Sequence, residues 1–382
     1  LGKNILILGG GFGGLSAATE LRRNLSTDHK ITLVDQQRLF MMGLTKLWVI
    51  NGSRKPGELA GNRAELPKRG IDYVEGVVNS IKPQSREALV GKQRLVFDYL
   101  IIALGADYAP EATPGFQWNV RNLYTESGCA EIRDLLQKTA SGTINIVVCG
   151  LPFKCPPAPY EASMIVDDVL RKKGVRDRVK LRLITPEPQP LTILGPDAGR
   201  NIVGLLTERE IEYRPSQKLM EIQQRAVRTE TDSFPHDQVF AVPIHVAPRV
   251  LKQSGLTDDS GWVPVDPLTM ETKFEGIYAV GDCAGPKIPK GALLPRAGVL
   301  ADEQGKTVAE RIRQDISGEK KNAAFAGEGV CFVEVGREMA APVKSNFYAQ
   351  PAPKWEFTPP SREGFEMKRR FLEERMALWF PG

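Results

Sequence analysis

The residues best placed to do chemistry begin at the ninth position. Gly9-Gly10-Gly11-Phe12-Gly13-Gly14 fits the spacing GxGxxG through Gly9, Gly11 and Gly14. The loop lies between an apolar run, Asn4 to Leu8, and a stretch with helical apolar spacing, Leu15 to Arg23. In that setting Gly9 permits a tight turn, Gly11 lets a pyrophosphate approach the backbone and Gly14 allows close helix packing. The helix N-terminus adds partial positive charge. Asp35 ends the next apolar run, Ile31 to Val34, where a carboxylate can accept hydrogen bonds from ribose hydroxyls. Loop, context and acid together point to a bound dinucleotide; a glycine turn of purely structural purpose is the weaker reading.

A second strand, loop and helix follow the same order with different chemistry. Ile144 to Val148 reads as a strand, about Tyr160 to Lys172 as a helix, and Lys180 to Ile184 as another strand. The loop between them, Cys149-Gly150-Leu151-Pro152-Phe153-Lys154-Cys155-Pro156-Pro157-Ala158-Pro159, holds four prolines and neither a second nor a third glycine. It offers few backbone N–H donors and no phosphate-cradling turn, which argues against NAD(P)H as a reductant. His29, His236 and His245 lack metal-ligand spacing and read as surface or loop histidines, so no metal is expected. A Ser-His-Asp site has no nucleophile-elbow motif behind it.

The elements that must position these residues alternate between strand and helix. Ile71 to Gln84, Ala88 to Leu95 and Tyr99 to Leu104 read as strands or hairpins, and Glu131 to Gln137 as a helix. After Pro248 an apolar strand, Ile277 to Val280, precedes a long helix from about Ala297 to Arg313. The expected fold class is α/β: two Rossmann-like dinucleotide-binding domains plus a smaller C-terminal region. The expected boundaries are 1–115 with 251–320 for the first domain, 116–250 for the second and 321–382 for the C-terminal interface region. Ser317 to Gly329 reads as a linker and Pro351 to Pro360 as a proline-rich loop. Glu363 to Phe380 reads as a helix with Leu372, Met376, Trp379 and Phe380 on one side. Its Lys368, Arg369, Arg370 and Arg375 could meet an anionic membrane surface, but packing on its own domain or on a partner subunit is the favoured reading.

Bulk composition narrows the field. With 382 residues, 42% hydrophobic and 25% charged, the chain can bury two or three cores. A net charge of +5, scattered rather than clustered, gives no footprint for nucleic acid. No run of about 18 apolar residues suggests a transmembrane helix. Five cysteines do not form the framework of a small secreted domain, so a bridge here would serve redox chemistry. No export signal is visible before the first strand, although the chain starts at Leu1. Its location stays open between cytoplasm, membrane periphery and, with a processed leader, the periplasm.

Phe97 to Ala106 (FDYLIIALGA) and Ile277 to Ala284 (IYAVGDCA) resemble two further signatures of the pyridine nucleotide-disulfide oxidoreductase superfamily. That resemblance favours FAD at the first site, with Gly105 and Gly281 in the signatures and Asp282 on the flavin's ribityl or phosphate portion. The alternative for Asp282 is an N-cap of the following helix. CPPAPYE (Cys155 to Glu161), LTDDSGWVPVD (Leu256 to Asp266), LPRAG (Leu294 to Gly298) and GVCF (Gly329 to Phe332) resemble the sulfide-oxidising branch. That branch comprises the flavocytochrome c sulfide dehydrogenase flavoprotein and the sulfide:quinone oxidoreductases.

By this resemblance Cys155 and Cys331 form a redox disulfide beside the flavin. Hydrosulfide attacks it, and Cys331 passes electrons to the flavin while sulfur grows on the other cysteine. Glu161 is then a proton acceptor, or else a solvated first-turn acid. Taken singly, each cysteine could instead be a buried, unreactive thiol. Quinone or a c-type cytochrome is the implied acceptor, and sulfide or a small thiol the donor. Cys129 falls where the quinone-reducing enzymes carry a third cysteine, but their histidine four residues on is Arg133 here. Cys149 and Cys283 read as core. The cytochrome-linked proteins attach FAD through a cysteine in the segment matching Leu39 to Leu44; Met41 and Met42 exclude that route. The alternatives are a type 2 NADH:quinone dehydrogenase and a non-enzymatic flavin-binding partner.

Overall fold

Asn4–Leu8, Lys30–Asp35 and Tyr99–Ile102 have apolar, buried interiors because the sheet they form is covered on both faces. In the computed structural model, which describes residues 2–58, 60–118 and 120–380, this parallel sheet has five strands. Their order is Ile277–Ala279, Tyr99–Ile102, Asn4–Leu8, Lys30–Asp35 and Asp72–Glu75. A second parallel sheet runs Val120–Asn122, Gln238–Val242, Gly142–Val148, Val179–Ile184 and Glu212–Arg214. The expected α/β class with two Rossmann-like units is borne out, and a late segment does complete the first sheet. A three-stranded antiparallel meander accompanies each unit, Val78–Lys82 to Gln93–Val96 in one and Leu219–Ile222 to Ser233–Pro235 in the other.

Two helices fix the glycine loop from behind. Phe12–Asn24 crosses the late helix Gly298–Ile316 so closely that a Cβ on Gly305 would strike the carbonyl of Gly13. Ser16 donates to the buried Asp302 at this crossing, and Arg375 Nε donates to the other oxygen of Asp302 at 2.9 Å. The C-terminal region is thereby tied to the first unit.

That region is a three-stranded antiparallel sheet, Glu328–Glu334, Ala340–Asn346 and Lys354–Phe357, followed by the helix Arg362–Trp379. The segment read as a proline-rich loop thus contains a strand: Trp355 and Phe357 pair with Ser345 and Val343. Lys354–Phe357 is free of proline and sits at the sheet edge, where flanking prolines cost no ladder bond. The last helix spends its apolar side on the protein. Trp379 meets Phe12 and Phe40 edge-on at 5.3 and 5.6 Å, and Phe380 stacks on Phe40 at 5.9 Å. Arg69 caps the helix's last carbonyls at Leu378 and Trp379. The basic face drawn for this helix needs correction, because Lys368 is fully buried between two carboxylates while Arg369 and Arg370 stay exposed. Among the described residues no helix is long and apolar enough to cross a membrane.

Candidate active site

The glycine loop opens onto a cavity of about 850 Å³. Gly9 has φ of +105°, and any side chain there would overlap the backbone of Ala103. A Cβ on Gly14 would overlap the carbonyl of Gly9, whereas one on Gly11 would meet open space. Gly9 and Gly11 line the cavity and Gly14 supports the turn from behind, the division of labour that a pyrophosphate site requires. Asp35 also lines the cavity. Its carboxylate accepts from the Gly10 and Gln37 backbone N–H groups at 2.7 Å each, which fixes it at the loop.

Arg63 completes this end of the site and was not read from sequence. It donates to the Gly10 carbonyl through Nε and Nη2, at 3.0 and 2.6 Å, and to the carbonyls of Gln37 and Leu39 through Nη1. Its guanidinium lies 3.5 Å from Asp35. Burial pulls its pKa down, against the Asp35 carboxylate. Because its strongest partners are backbone carbonyls, no side-chain pattern announces it.

Gly105, Gly281 and Asp282 line the same cavity. Asp282 sits in a single 3₁₀ turn, Gly281–Cys283, while the next helix starts at Gly298 with Ala297 before it. Asp282 therefore caps no helix, and the N-cap alternative is overturned. The buried Arg296 donates from Nε to the Asp282 carbonyl at 3.0 Å and lies 3.6 Å over the Trp262 ring. Burial lowers its pKa to about 10.

The cysteine end is built by three distant segments. Cys155 stands just before the helix Ala158–Lys172 with φ of +52°, a conformation that costs a non-glycine residue about 1–3 kcal/mol. Clamps hold it there. Its N–H donates to the Arg296 carbonyl at 2.6 Å, its carbonyl accepts from Ala158 N–H at 2.9 Å, and Tyr124 Oη donates to the Lys154 carbonyl at 2.7 Å. Cys331 comes from the first C-terminal strand, and both sulfurs are free thiols lining the cavity. Burial pushes Cys155 well above the usual thiol range and Cys331 up to about 12; the Glu161 carboxylate raises both further.

Glu161 is also in the cavity wall, and it is buried rather than solvated, which overturns the first-turn surface reading. Its Oε1 accepts from the Glu334 N–H at 2.9 Å and from Lys368 Nζ at 3.2 Å. Burial raises its pKa even against the Lys368 charge. Lys368 also donates to Glu334 Oε2 at 2.7 Å, and Trp48 Nε1 donates to the same oxygen at 2.9 Å. Lys368 and Glu334 were not anticipated at this site.

The remaining candidates lie elsewhere. Cys129 is buried in the helix Glu126–Lys138 with its thiol on the Leu123 carbonyl, and burial pushes it up to about 12. Cys149 and Cys283 are likewise buried, each pushed up to about 12. The histidine reading needs correction, since His236 and His245 are buried. His245 belongs to a short strand paired with Asp107–Tyr108, and its ring is held between Tyr108 and Tyr124 at 5.0 Å from each. Burial, helped by Lys154, lowers its pKa to about 3. No group of His, Cys, Asp and Glu among the described residues could hold a metal.

The second unit carries an acid shortly after its second strand, where the first has Asp35 at the strand's end. Glu187 follows Val179–Ile184, but it turns inward: Tyr160 Oη donates to it at 2.6 Å and Thr185 lies within reach. Burial raises its pKa to about 7.

Known proteins extend this picture. The sulfide-quinone reductase of Aquifex aeolicus (strain VF5) is 25% identical over 358 residues, covering 88% of this chain and 82% of its own. The mitochondrial sulfide:quinone oxidoreductase of Mus musculus is 26% identical, covering 78% and 69%. A type II NADH:quinone oxidoreductase of Staphylococcus aureus (strain NCTC 8325 / PS 47) is 22% identical, covering 83% of each. The crystal structure of the Aquifex aeolicus sulfide:quinone oxidoreductase superposes with a TM-score of 0.88 at 22% identity, over 99% of this chain and 91% of that one, and so shares the fold. The resemblance to the sulfide-oxidising branch is borne out by these matches. They indicate a flavin cofactor, which the open space at Gly11 and the pinned Asp35 fit. Since the pyridine nucleotide-disulphide oxidoreductase model matches residues 3–306, most of its length, the chain belongs to that family.

Proposed function

We propose that this chain is an FAD-dependent oxidoreductase that oxidises sulfide through a Cys155–Cys331 redox disulfide, with quinone as electron acceptor. The observation that carries the reading is the convergence of Cys155 and Glu161, from one loop and the helix it enters, with Cys331, from a distant strand, on the cavity that the dinucleotide loop also lines. In this reading residues 1–115 and 251–320 form the FAD domain, 116–250 the second Rossmann-like domain and 321–382 the interface region. The loop of Gly9, Gly11 and Gly14 holds the pyrophosphate, Asp35 the ribose, and Gly105, Gly281 and Asp282 the remainder. FAD is not attached covalently through the Leu39 to Leu44 segment, where Met41 and Met42 offer no thiol. Quinone is preferred to a c-type cytochrome because the relatives named above are quinone reductases. The last helix, with Trp379 and Phe380 on the protein itself, is assigned to packing rather than to membrane contact.

The thiol environment supports a disulfide as the working form. Two half-buried thiols whose pKa values are raised above the usual thiol range are poor nucleophiles near neutral pH. As a disulfide the same sulfurs act as the electrophile, and the incoming hydrosulfide brings the nucleophile. The hydrosulfide sulfur bonds to Cys155 Sγ, the S–S bond breaks, Cys331 leaves as the thiolate, and the persulfide proton goes to Glu161. When bound in the cavity that Cys331 lines, FAD would supply a two-electron acceptor. A type 2 NADH dehydrogenase is disfavoured by the proline loop and by the inward turn of Glu187. The test is peptide mapping of the oxidised protein under non-reducing conditions. A Cys155–Cys331 crosslink that sulfide removes is expected. Thiols that alkylate fully in the oxidised protein would contradict the reading and favour a flavin-binding partner with core cysteines.

A further inference from the structure

We infer that Lys368 and Glu334 are positioning residues that set the proton affinity of Glu161, so that the C-terminal region controls the proton step at the cysteine pair. The inference deepens the reading above and rests on it. Lys368 is fully buried and bonds two carboxylates at once, Glu161 at 3.2 Å and Glu334 at 2.7 Å. These three groups come from the helix Ala158–Lys172, the strand Glu328–Glu334 and the helix Arg362–Trp379. One ammonium shared between two carboxylates leaves one negative charge uncompensated if both acids are ionised. All three side chains are buried, so that charge is costly, and a proton on one acid relieves it.

The fixed partners decide which acid takes it. Glu334 is engaged on Oε2 by two side-chain donors at once, Lys368 and the Trp48 indole N–H. Glu161 shares Oε1 between Lys368 and a backbone N–H and faces the cavity, so it is the acid that gains and loses the proton. The titratable groups around it are Lys368, Glu334, Cys155, Cys331 and Tyr124. In the balanced step, the proton leaving the Cys155 persulfide lands on Glu161 while the electron pair of the broken S–S bond stays on Cys331. The site then carries no more net charge than the entering hydrosulfide brought.

The two positioning residues pull Glu161 in opposite directions, which gives the test its sign. Removing the ammonium in Lys368→Met should make Glu161 hold its proton to higher pH. Removing the competing charge in Glu334→Gln, which keeps an acceptor for Trp48, gives Glu161 the whole ammonium and should make it release the proton at lower pH. The probe is an infrared pH titration of the FAD-loaded protein without sulfide, following the carboxyl band that Glu161→Gln deletes. In parallel, the pH profile of flavin bleaching by sulfide is recorded. Shifts of opposite sign, each of about one pH unit or more, in both readouts are expected, with Lys368→Arg returning toward the parent. If Lys368→Met fails to fold, the downward shift in Glu334→Gln decides alone. Variants that keep the parent midpoint, or shift together, overturn the inference. Failure of sulfide to bleach the parent protein, with the infrared shifts intact, overturns the functional reading and the proton step, and leaves only the coupling of the three groups.

Discussion

The two Rossmann-like units share the order of four of their five strands and diverge at the same two places. In the first, the turn after the leading strand is glycine throughout, and the acid closing the next strand, Asp35, is bonded to Gly10 and lines the cavity. In the second, the turn carries Pro152, Pro156 and Pro157, and the acid after the next strand, Glu187, is buried on Tyr160. One unit keeps backbone donors and a carboxylate for a nucleotide. The other has turned its acid inward and put Cys155 at the mouth of its helix, clamped with positive φ by Arg296 and Ala158. On the function proposed above, the difference teaches that a βαβ scaffold fixes where a ligand would sit, while the turn chemistry decides whether that position binds a cofactor or performs the reaction.

The comparison breaks first at the cysteines. Cys155→Ser and Cys331→Ser should each reduce sulfide-dependent bleaching by at least a thousandfold, about 4 kcal/mol of barrier, while FAD stays bound. Rapid mixing and flavin absorbance check both statements. The next largest effect falls on the first loop. Gly11→Leu would fill the open space where the pyrophosphate approaches, and FAD retained through gel filtration should drop by more than a hundredfold in affinity, about 3 kcal/mol. Pro156→Gly should not create NADH-driven reduction, since Glu187 remains turned inward.

The two acids give the finer contrast. Asp35→Asn should weaken FAD by about 2 kcal/mol, the worth of a hydrogen bond to a charged group, as read by fluorescence titration. Glu187→Gln should leave FAD affinity unchanged and act on stability instead. The folded-state pKa of Glu187, about 7, lies above the ordinary 4.5. The folded protein therefore holds a proton that the unfolded chain has lost, and stability falls as pH rises from about 4.5 to about 7. The Gln variant lacks that slope. Relative to the parent it should gain on the order of 1 kcal/mol between pH 5 and pH 8 in denaturant unfolding, less than the full linkage value because Glu187 keeps some contact with solvent.

How much of this was legible in the sequence follows from how far apart the partners lie. Gly9, Gly11, Gly14 and Asp35 lie within one βαβ unit, so spacing alone suffices to bring them to one loop. Cys155 and Cys331 were paired through motif resemblance, and the fold brings both to one cavity. Lys368 was not legible, because its partner Glu161 lies 207 residues away and a lysine on an amphipathic helix reads as surface. Glu334 bonds Glu161 through a backbone N–H 173 residues distant, which no side-chain pattern reports. His245 was misplaced for a related reason: its burial depends on two tyrosines that only the tertiary fold brings to either side of the ring. The strand Lys354–Phe357 was hidden by the prolines that flank it.

The most direct test of the central claim is anaerobic mixing of the FAD-loaded protein with sulfide and, separately, with NADH, followed by flavin absorbance. The account predicts rapid bleaching, or a long-wavelength charge-transfer band, with sulfide and no fast change with NADH. Fast reduction by NADH with none by sulfide would contradict it, and would mean that the proline-rich turn binds the nucleotide its sequence argues against.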